Sequence, residues 1–247
     1  MVAPTSQSPT FPDTCWTLIH RCQDGTVEER DEALSVLCRM YWLPLYAFAR
    51  RSGLSPEDAE DRVQSFFLDA LRTDIFSRAD EHRGRLRSLL CQAFRNQLRR
   101  WFRDQSAQKR GGSATHVPLL PNDAENQFQA QLADRAGTPE QLFARAWALT
   151  VLDTTLKRLE TGYNDRGQQQ RYKVLREYLP WNGSDGSTTA EGAESAGMTP
   201  GAFRTALNRM RKEYQQLIIE EVRSTVASDD QAEVDDELRH LFTTLGL

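Results

Sequence analysis

Arg95, Arg99 and Arg103 recur at four-residue intervals, with Gln92 and Asn96 on the same side of the helix that this spacing defines. Guanidinium groups in such a row suit phosphates, because each contact releases condensed counterions from a nucleic-acid strand. Between residues 83 and 110 the bases Arg83, Arg85, Arg87, Arg95, Arg99, Arg100, Arg103, Lys109 and Arg110 face the single acid Asp104. Stacked like charges on one helix repel, and a polyanion would remove that cost. The competing reading is pairing with acids brought in from another helix. A second set, Arg204, Asn208, Arg211 and Lys212, falls at i, i+4, i+7 and i+8, with Thr205 and Arg209 beside it. Arginine and asparagine can hydrogen-bond guanine and adenine edges in pairs, whereas lysine and further arginines suit phosphates. A plain solvated helix face would carry the same residues, so the segment in front of it decides.

That segment, 189–208, meets the spacing rules of a helix-turn-helix. There a small residue lies under the helix crossing, a glycine turns the chain, and apolar residues seat the second helix. Ala193, Gly197, Met198, Phe203 and Ala206 supply these in order. Thr188 with Glu191 predicts a capping box, and Thr199-Pro200 a cap followed by proline at the first helical position. Gly192 departs from the pattern, standing where a larger apolar residue would anchor the first helix. Ala190, Ala193 and Ala196 are small as well, so a weak first helix is expected.

Helical periodicity must position both cationic faces. Leu86, Leu89, Leu90, Ala93, Phe94, Leu98, Trp101 and Phe102 predict the buried stripe of the earlier arginine helix. Phe203, Ala206, Leu207, Met210, Tyr214, Leu217, Ile218 and Val222 predict that of the later one. Further helices are expected near 13–23, 28–51, 56–73, 139–159 and 168–180, with a short helical pattern at 234–242. The helix from 139 opens on Thr138-Pro139-Glu140-Gln141 and should bury Phe143, Trp147, Val151, Leu152, Leu156 and Leu159. Strand-like alternation is scarce, which makes the expected fold all-α. Residues 105–138, rich in Gly, Ser, Ala, Gln, Asn and Asp, are expected to be a linker. Ser55-Pro56-Glu57-Asp58 is a helix start whose carboxylates lie at the positive end of the dipole. In that helix Ala59, Val63, Phe66, Phe67, Ala70 and Leu71 form the apolar face, opposite Asp58, Asp61, Gln64 and Ser65. Acids beside a glutamine suit a basic protein partner; solvation alone would also explain them.

Over 247 residues the net charge is −4, which hides the segregation of bases from acids. The acids concentrate at Glu57, Asp58, Glu60 and Asp61, and in Asp229, Asp230, Glu233, Asp235, Asp236 and Glu237. No apolar run reaches the roughly 20 residues that span a bilayer, and no signal-peptide core opens the chain, so a cytoplasmic protein is expected. Cys15, Cys22, Cys38 and Cys91 form no CxxC pair and are expected as free thiols, with Cys38 and Cys91 the candidates for burial. Cys15, His20 and Cys22 lack a fourth ligand for a metal or redox site. His20, His82, His116 and His240 are scattered and there is no phosphate loop, so neither an enzyme nor a cofactor is expected.

The chain resembles bacterial sigma factors of the extracytoplasmic-function class, in the acidobacterial and planctomycete-type branch. The residues that carry the resemblance include Tyr41-Trp42-Leu43-Pro44-Leu45-Tyr46-Ala47-Phe48 and Ser55-Pro56-Glu57-Asp58-Ala59-Glu60-Asp61 with Gln64-Ser65-Phe66-Phe67. They continue with Arg83-Gly84-Arg85-Leu86-Arg87-Ser88-Leu89-Leu90 and Gln108-Lys109-Arg110-Gly111-Gly112. The later ones are Arg145-Ala146-Trp147-Ala148-Leu149 and Val234-Asp235-Asp236-Glu237-Leu238-Arg239-His240-Leu241-Phe242. Leu89 departs from the class, which often has an aromatic residue there.

The resemblance implies two helical domains. An extension over 1–25 precedes a region-two-like domain at 26–110. A linker at 111–138, a region-four-like helix-turn-helix domain at 139–225 and an acidic tail at 226–247 complete the plan. It further implies that Asp58, Asp61 and Gln64 dock on core RNA polymerase. The loop at 74–85 would capture a base of the minus-ten promoter element, with Arg87, Gln92, Arg95, Asn96, Arg99 and Arg103 holding the DNA. Arg204, Thr205, Asn208, Arg209, Arg211 and Lys212 would then read the minus-thirty-five element. The implied partners are core polymerase and promoter DNA, with an anti-sigma factor left open and no membrane. The alternative is a stand-alone helix-turn-helix regulator that binds duplex DNA without polymerase. The acidic tail is expected either to mask a basic helix until a partner binds or to have no such role.

Overall fold

A computed structural model describes residues 15–72, 85–107, 123–133, 135–179, 189–226 and 231–246. Every regular element among them is an α-helix. The order is α1 (Cys15–Asp24), α2 (Val27–Arg51), α3 (Pro56–Arg72), α4 (Leu86–Ala107), α5 (Ala124–Gln131), α6 (Pro139–Asp165), α7 (Gln169–Arg176), α8 (Thr189–Ser195), α9 (Pro200–Thr225) and α10 (Gln231–Leu245).

Local chemistry sets the helix starts. At α2 the Glu29 N–H donates to Thr26 Oγ1 at 3.3 Å while the Thr26 N–H donates to the Glu29 carboxylate at 2.8 Å. At α3 the Asp58 N–H donates to Ser55 Oγ at 3.1 Å. At α6 Thr138 and Gln141 exchange the same pair of bonds, at 2.8 and 3.2 Å. Thr199 Oγ1 accepts the Ala202 N–H at 3.3 Å at the head of α9. The expected cap Thr188, the loop 181–187 and residues 74–84 lie outside the described residues.

Packing divides the chain into two compact units, one within 1–148 and 223–247, the other within 149–222. Their limits fall inside α6 and α9, not at the 138/139 and 225/226 limits drawn from sequence.

In the first unit, Phe66 and Phe94 meet edge to face at 5.3 Å, Phe48 meets Phe94 at 5.9 Å, and Trp42 stacks on Phe67 at 6.1 Å. These rings join α2 to the apolar faces that periodicity assigned to α3 and α4. The stripe of α4 is only partly enclosed: Leu89, Ala93 and Trp101 are half-buried, and near the C-terminal end Phe102 is 43% exposed, which corrects its expected burial. Helix α5 corrects the linker reading of 105–138. Its Phe128 is buried edge to face against Tyr46 at 6.2 Å. Glu125 takes two hydrogen bonds from the Arg50 guanidinium, at 3.0 and 3.1 Å, and one from the Tyr46 hydroxyl. Burial opposes charge on Glu125, but bonds from Tyr46, Gln129 and Arg50 outweigh it and hold the carboxyl below its ordinary range.

The second unit is built on α7, α8, the later part of α6 and most of α9. Tyr163 meets Tyr172 at 5.8 Å, and the buried Tyr214 hydroxyl donates to the Leu152 carbonyl at 2.9 Å. The turn after α8 passes through Gly197, whose φ of +63° is the left-handed conformation that glycine adopts without strain. The Met198 N–H closes the turn on the Ala193 carbonyl at 2.8 Å. Gly192 is buried under two aromatic rings. A β-carbon there would stand 2.6 Å from Phe203 Cζ and 2.7 Å from Tyr178 Cζ and its hydroxyl. Tyr178 and Phe203 meet edge to face at 5.2 Å, so tyrosine fills the space that an apolar residue at 192 would have taken.

Candidate nucleic-acid interface

Helix α9 buries Phe203, Ala206, Leu207 and Met210 and turns Arg204, Thr205, Asn208, Arg209, Arg211 and Lys212 to solvent. Two of these side chains bond within their own turns: Arg204 Nε donates to the Pro200 carbonyl at 3.3 Å and Thr205 Oγ1 to that of Gly201 at 3.0 Å. Arg211 Nη2 donates to the Tyr178 carbonyl at 2.9 Å, which ties it to the turn after α7. No described residue holds Asn208 or Lys212 in a hydrogen bond or ion pair. A helix that follows a glycine turn, with donors of both base-reading and phosphate-holding types along one exposed side, can enter a DNA groove.

On α4 the outward side carries Gln92, Asn96, Arg99, Arg100 and Arg103. Gln92 Nε2 donates to Asn96 Oδ1 at 3.2 Å. Arg95 is partly engaged: it donates to Gln92 and forms an ion pair with Glu140 at 3.3 Å, its side chain about one third exposed (34%). Phe102 stands exposed among these cations, and Arg62 lies 5.6 Å over the neighbouring Trp101 ring. The exposed cationic strip therefore runs from Arg99 to Arg103, shorter than the sequence set.

Arg87 leaves that set. Its side chain is only 11% exposed, and Nε and Nη2 both bond Glu237 of α10, the latter at 3.0 Å. Its guanidinium sits 5.2 Å over the Trp147 ring. Arg85 Nε forms an ion pair with the same carboxylate at 2.9 Å, and Arg85 Nη2 hydrogen-bonds Asp236. Glu237 is 1% exposed, flanked by the buried Val234 and Leu241. Sequence reasoning missed this acid as a core residue. The signal was present: 234, 237 and 241 share one helix face, and two of the three are apolar. Segments 83–90, 145–149 and 234–242, on which the resemblance rests, meet at Arg87. The acidic tail thus contributes a helix to the first unit.

On α3, Asp58, Asp61 and Gln64 are half-exposed along one side. Asp58 also accepts a hydrogen bond from Ser55 Oγ at 2.9 Å. Burial pushes the Cys22 and Cys91 thiols up to about 11 and Cys38 up to about 12, which keeps all three protonated and weakly nucleophilic. The side chains of Cys15 and His20 lie outside the described residues, among which no group of three His, Cys, Asp or Glu could hold a metal. No described helix is long and apolar enough to cross a membrane. Comparison with protein-family models, curated proteins and solved structures finds no match.

Proposed function

We propose that this chain is a promoter-specificity subunit of the sigma type, which joins core RNA polymerase and directs it to DNA without catalysis of its own. The single observation that carries this reading is the exposed row Arg204, Asn208, Arg209 and Lys212 on α9, beyond the left-handed Gly197 turn. The strip Arg99, Arg100 and Arg103 with the exposed Phe102 supports a second contact, because cations and an aromatic face together suit a separated strand. Extruding a base costs a few kcal/mol, which such contacts offset. The half-exposed Asp58, Asp61 and Gln64 side of α3 is the proposed docking face for polymerase.

Retention of core polymerase by the tagged chain, followed by run-off transcription from mapped start sites, tests the proposal. Failure to associate with core overturns it. The second reading, a stand-alone duplex-binding regulator, is favoured by the self-contained core under α8 and α9. It requires tight, salt-sensitive duplex binding by the chain alone, a result that polymerase-dependent binding would exclude.

A further inference from the structure

The first unit contains a cavity of about 870 Å³ between α4, the start of α6 and the end of α10. Its walls carry Arg87, Arg95, Arg135 and Arg145 against one carboxylate, Glu140. Two of the four cations are already balanced, Arg87 by Glu237 and Arg95 by Glu140. Glu140 also occupies the N-terminal turn of α6, so that helix end needs no further anion.

Arg135 and Arg145 remain without a carboxylate partner among the described residues. Arg145 makes one hydrogen bond, from Nη1 to the Thr244 carbonyl at 3.2 Å, and its buried Nε has no acceptor. The buried Nε of Arg95 has none either. Burial first, and then the charge of Arg135, weaken the hold of Arg145 on its proton. The half-buried Arg145, with no compensating charge and an unfilled Nε, carries a cost that an anion would remove, and the exposed Arg135 adds a second positive charge to the same cavity. Thr243 and Thr244 line the same cavity, the Thr244 hydroxyl lying 3.4 Å from His240 Nε2.

We propose that this cavity is a binding site for a small phosphorylated anion, with Arg135 and Arg145 as its charge-bearing residues. A compact group with several oxygens and more than one negative charge meets two guanidinium forks and adjacent hydroxyls, whereas a monocarboxylate would satisfy only one fork. The volume accommodates a nucleotide as well as a bare phosphate chain. This inference does not rest on the promoter reading, since Arg135 and Arg145 belong to neither proposed DNA-facing row.

Titration calorimetry on the full chain with inorganic pyrophosphate, a nucleoside triphosphate and the unphosphorylated nucleoside tests it. Saturable binding of both phosphates and none of the nucleoside is expected. Equal affinities identify a bare phosphate chain as sufficient, and a tighter triphosphate identifies a nucleotide. Arg145→Gln and, independently, the exposed Arg135→Gln should each weaken pyrophosphate at least about tenfold, as for loss of one charge-assisted contact. Arg39→Gln, on the exposed side of α2, should leave it unchanged. Arg135→Gln keeps the test open should Arg145→Gln lose its tie to Thr244 and unfold. Absence of saturable pyrophosphate binding, or equal weakening by Arg39→Gln, overturns the proposal.

Discussion

The Tyr178 ring lies over Gly192, close enough that a β-carbon on the glycine would meet the phenol carbon and oxygen at 2.7 Å. The first helix of a helix-turn-helix ordinarily brings its own apolar anchor. Here the anchor arrives from the turn after α7, and α8 supplies the hollow. Alanine at 192 gains helix propensity of about 1 kcal/mol, but must displace Tyr178 or Phe203, and overpacking a tight site costs about 1–3 kcal/mol. Gly192→Ala is therefore expected to be neutral to destabilising in denaturant unfolding, with a larger loss for Gly192→Leu. In a Tyr178→Leu background Gly192→Ala should cost less. An identical cost in both backgrounds would mean that Tyr178 is not the obstacle.

Glu237 accepts two hydrogen bonds from Arg87, forms an ion pair with Arg85 and is almost fully buried. Removing one member of a buried ion pair leaves an uncompensated charge, at a cost of about 3–5 kcal/mol. Glu237→Gln should lower stability by an amount of that order, measured by urea unfolding. Lys157→Gln, which removes an exposed helix pair with Asp153, should change it by less than about 0.5 kcal/mol. Equal effects would show that the α10 contact contributes little.

His240 links that contact to pH. Burial, and after it the Arg87 guanidinium, hold the imidazole below its ordinary 6.5; Glu237 and Asp236 oppose this, and Arg85 reinforces it. A base whose folded pKa is depressed binds fewer protons in the native state. Its contribution is complete above about 6.5 and is lost as pH falls through that value toward the folded one. The thermal midpoint should therefore drop between pH 7 and pH 5, and drop less in His240→Gln. A steeper fall in the variant contradicts the assignment.

Most helices could be read from the chain because each has an apolar stripe of its own and several carry caps in sequence: Ser55, Thr138 and Thr199 are where spacing placed them. What could not be read depends on partners distant in sequence. Helix α5 has few apolar residues, chiefly Ala124, Phe128 and the following Leu132, and it is fixed by the pairing of Glu125 with Arg50, 75 residues away. Arg87 and Arg99 look alike on one helix, yet Glu237, 150 residues from Arg87, draws one inward while the other stays exposed. The outward row on α9 was legible, since the same periodicity that buries Phe203 and Met210 exposes Asn208 and Lys212. The anchoring of Gly192 by Tyr178 was not, because no local pattern marks a ring that arrives from a distant turn.

The division of the arginines on α4 gives the sharpest test of the DNA reading. Arg99 and Arg103 lie on the exposed strip, whereas Arg87 is enclosed between Glu237 and Trp147. If the strip holds phosphates, Arg99→Gln with Arg103→Gln should reduce the slope of log affinity against log salt by about 2, roughly one unit per contact. The measurement is promoter binding by the chain in complex with core polymerase. Arg87→Gln should instead lower the unfolding midpoint and leave that slope unchanged once the folded fraction is accounted for. The opposite pattern, a reduced slope for Arg87→Gln and none for the double variant, would require α10 to release Arg87 before DNA binds, and would return the tail to the masking role.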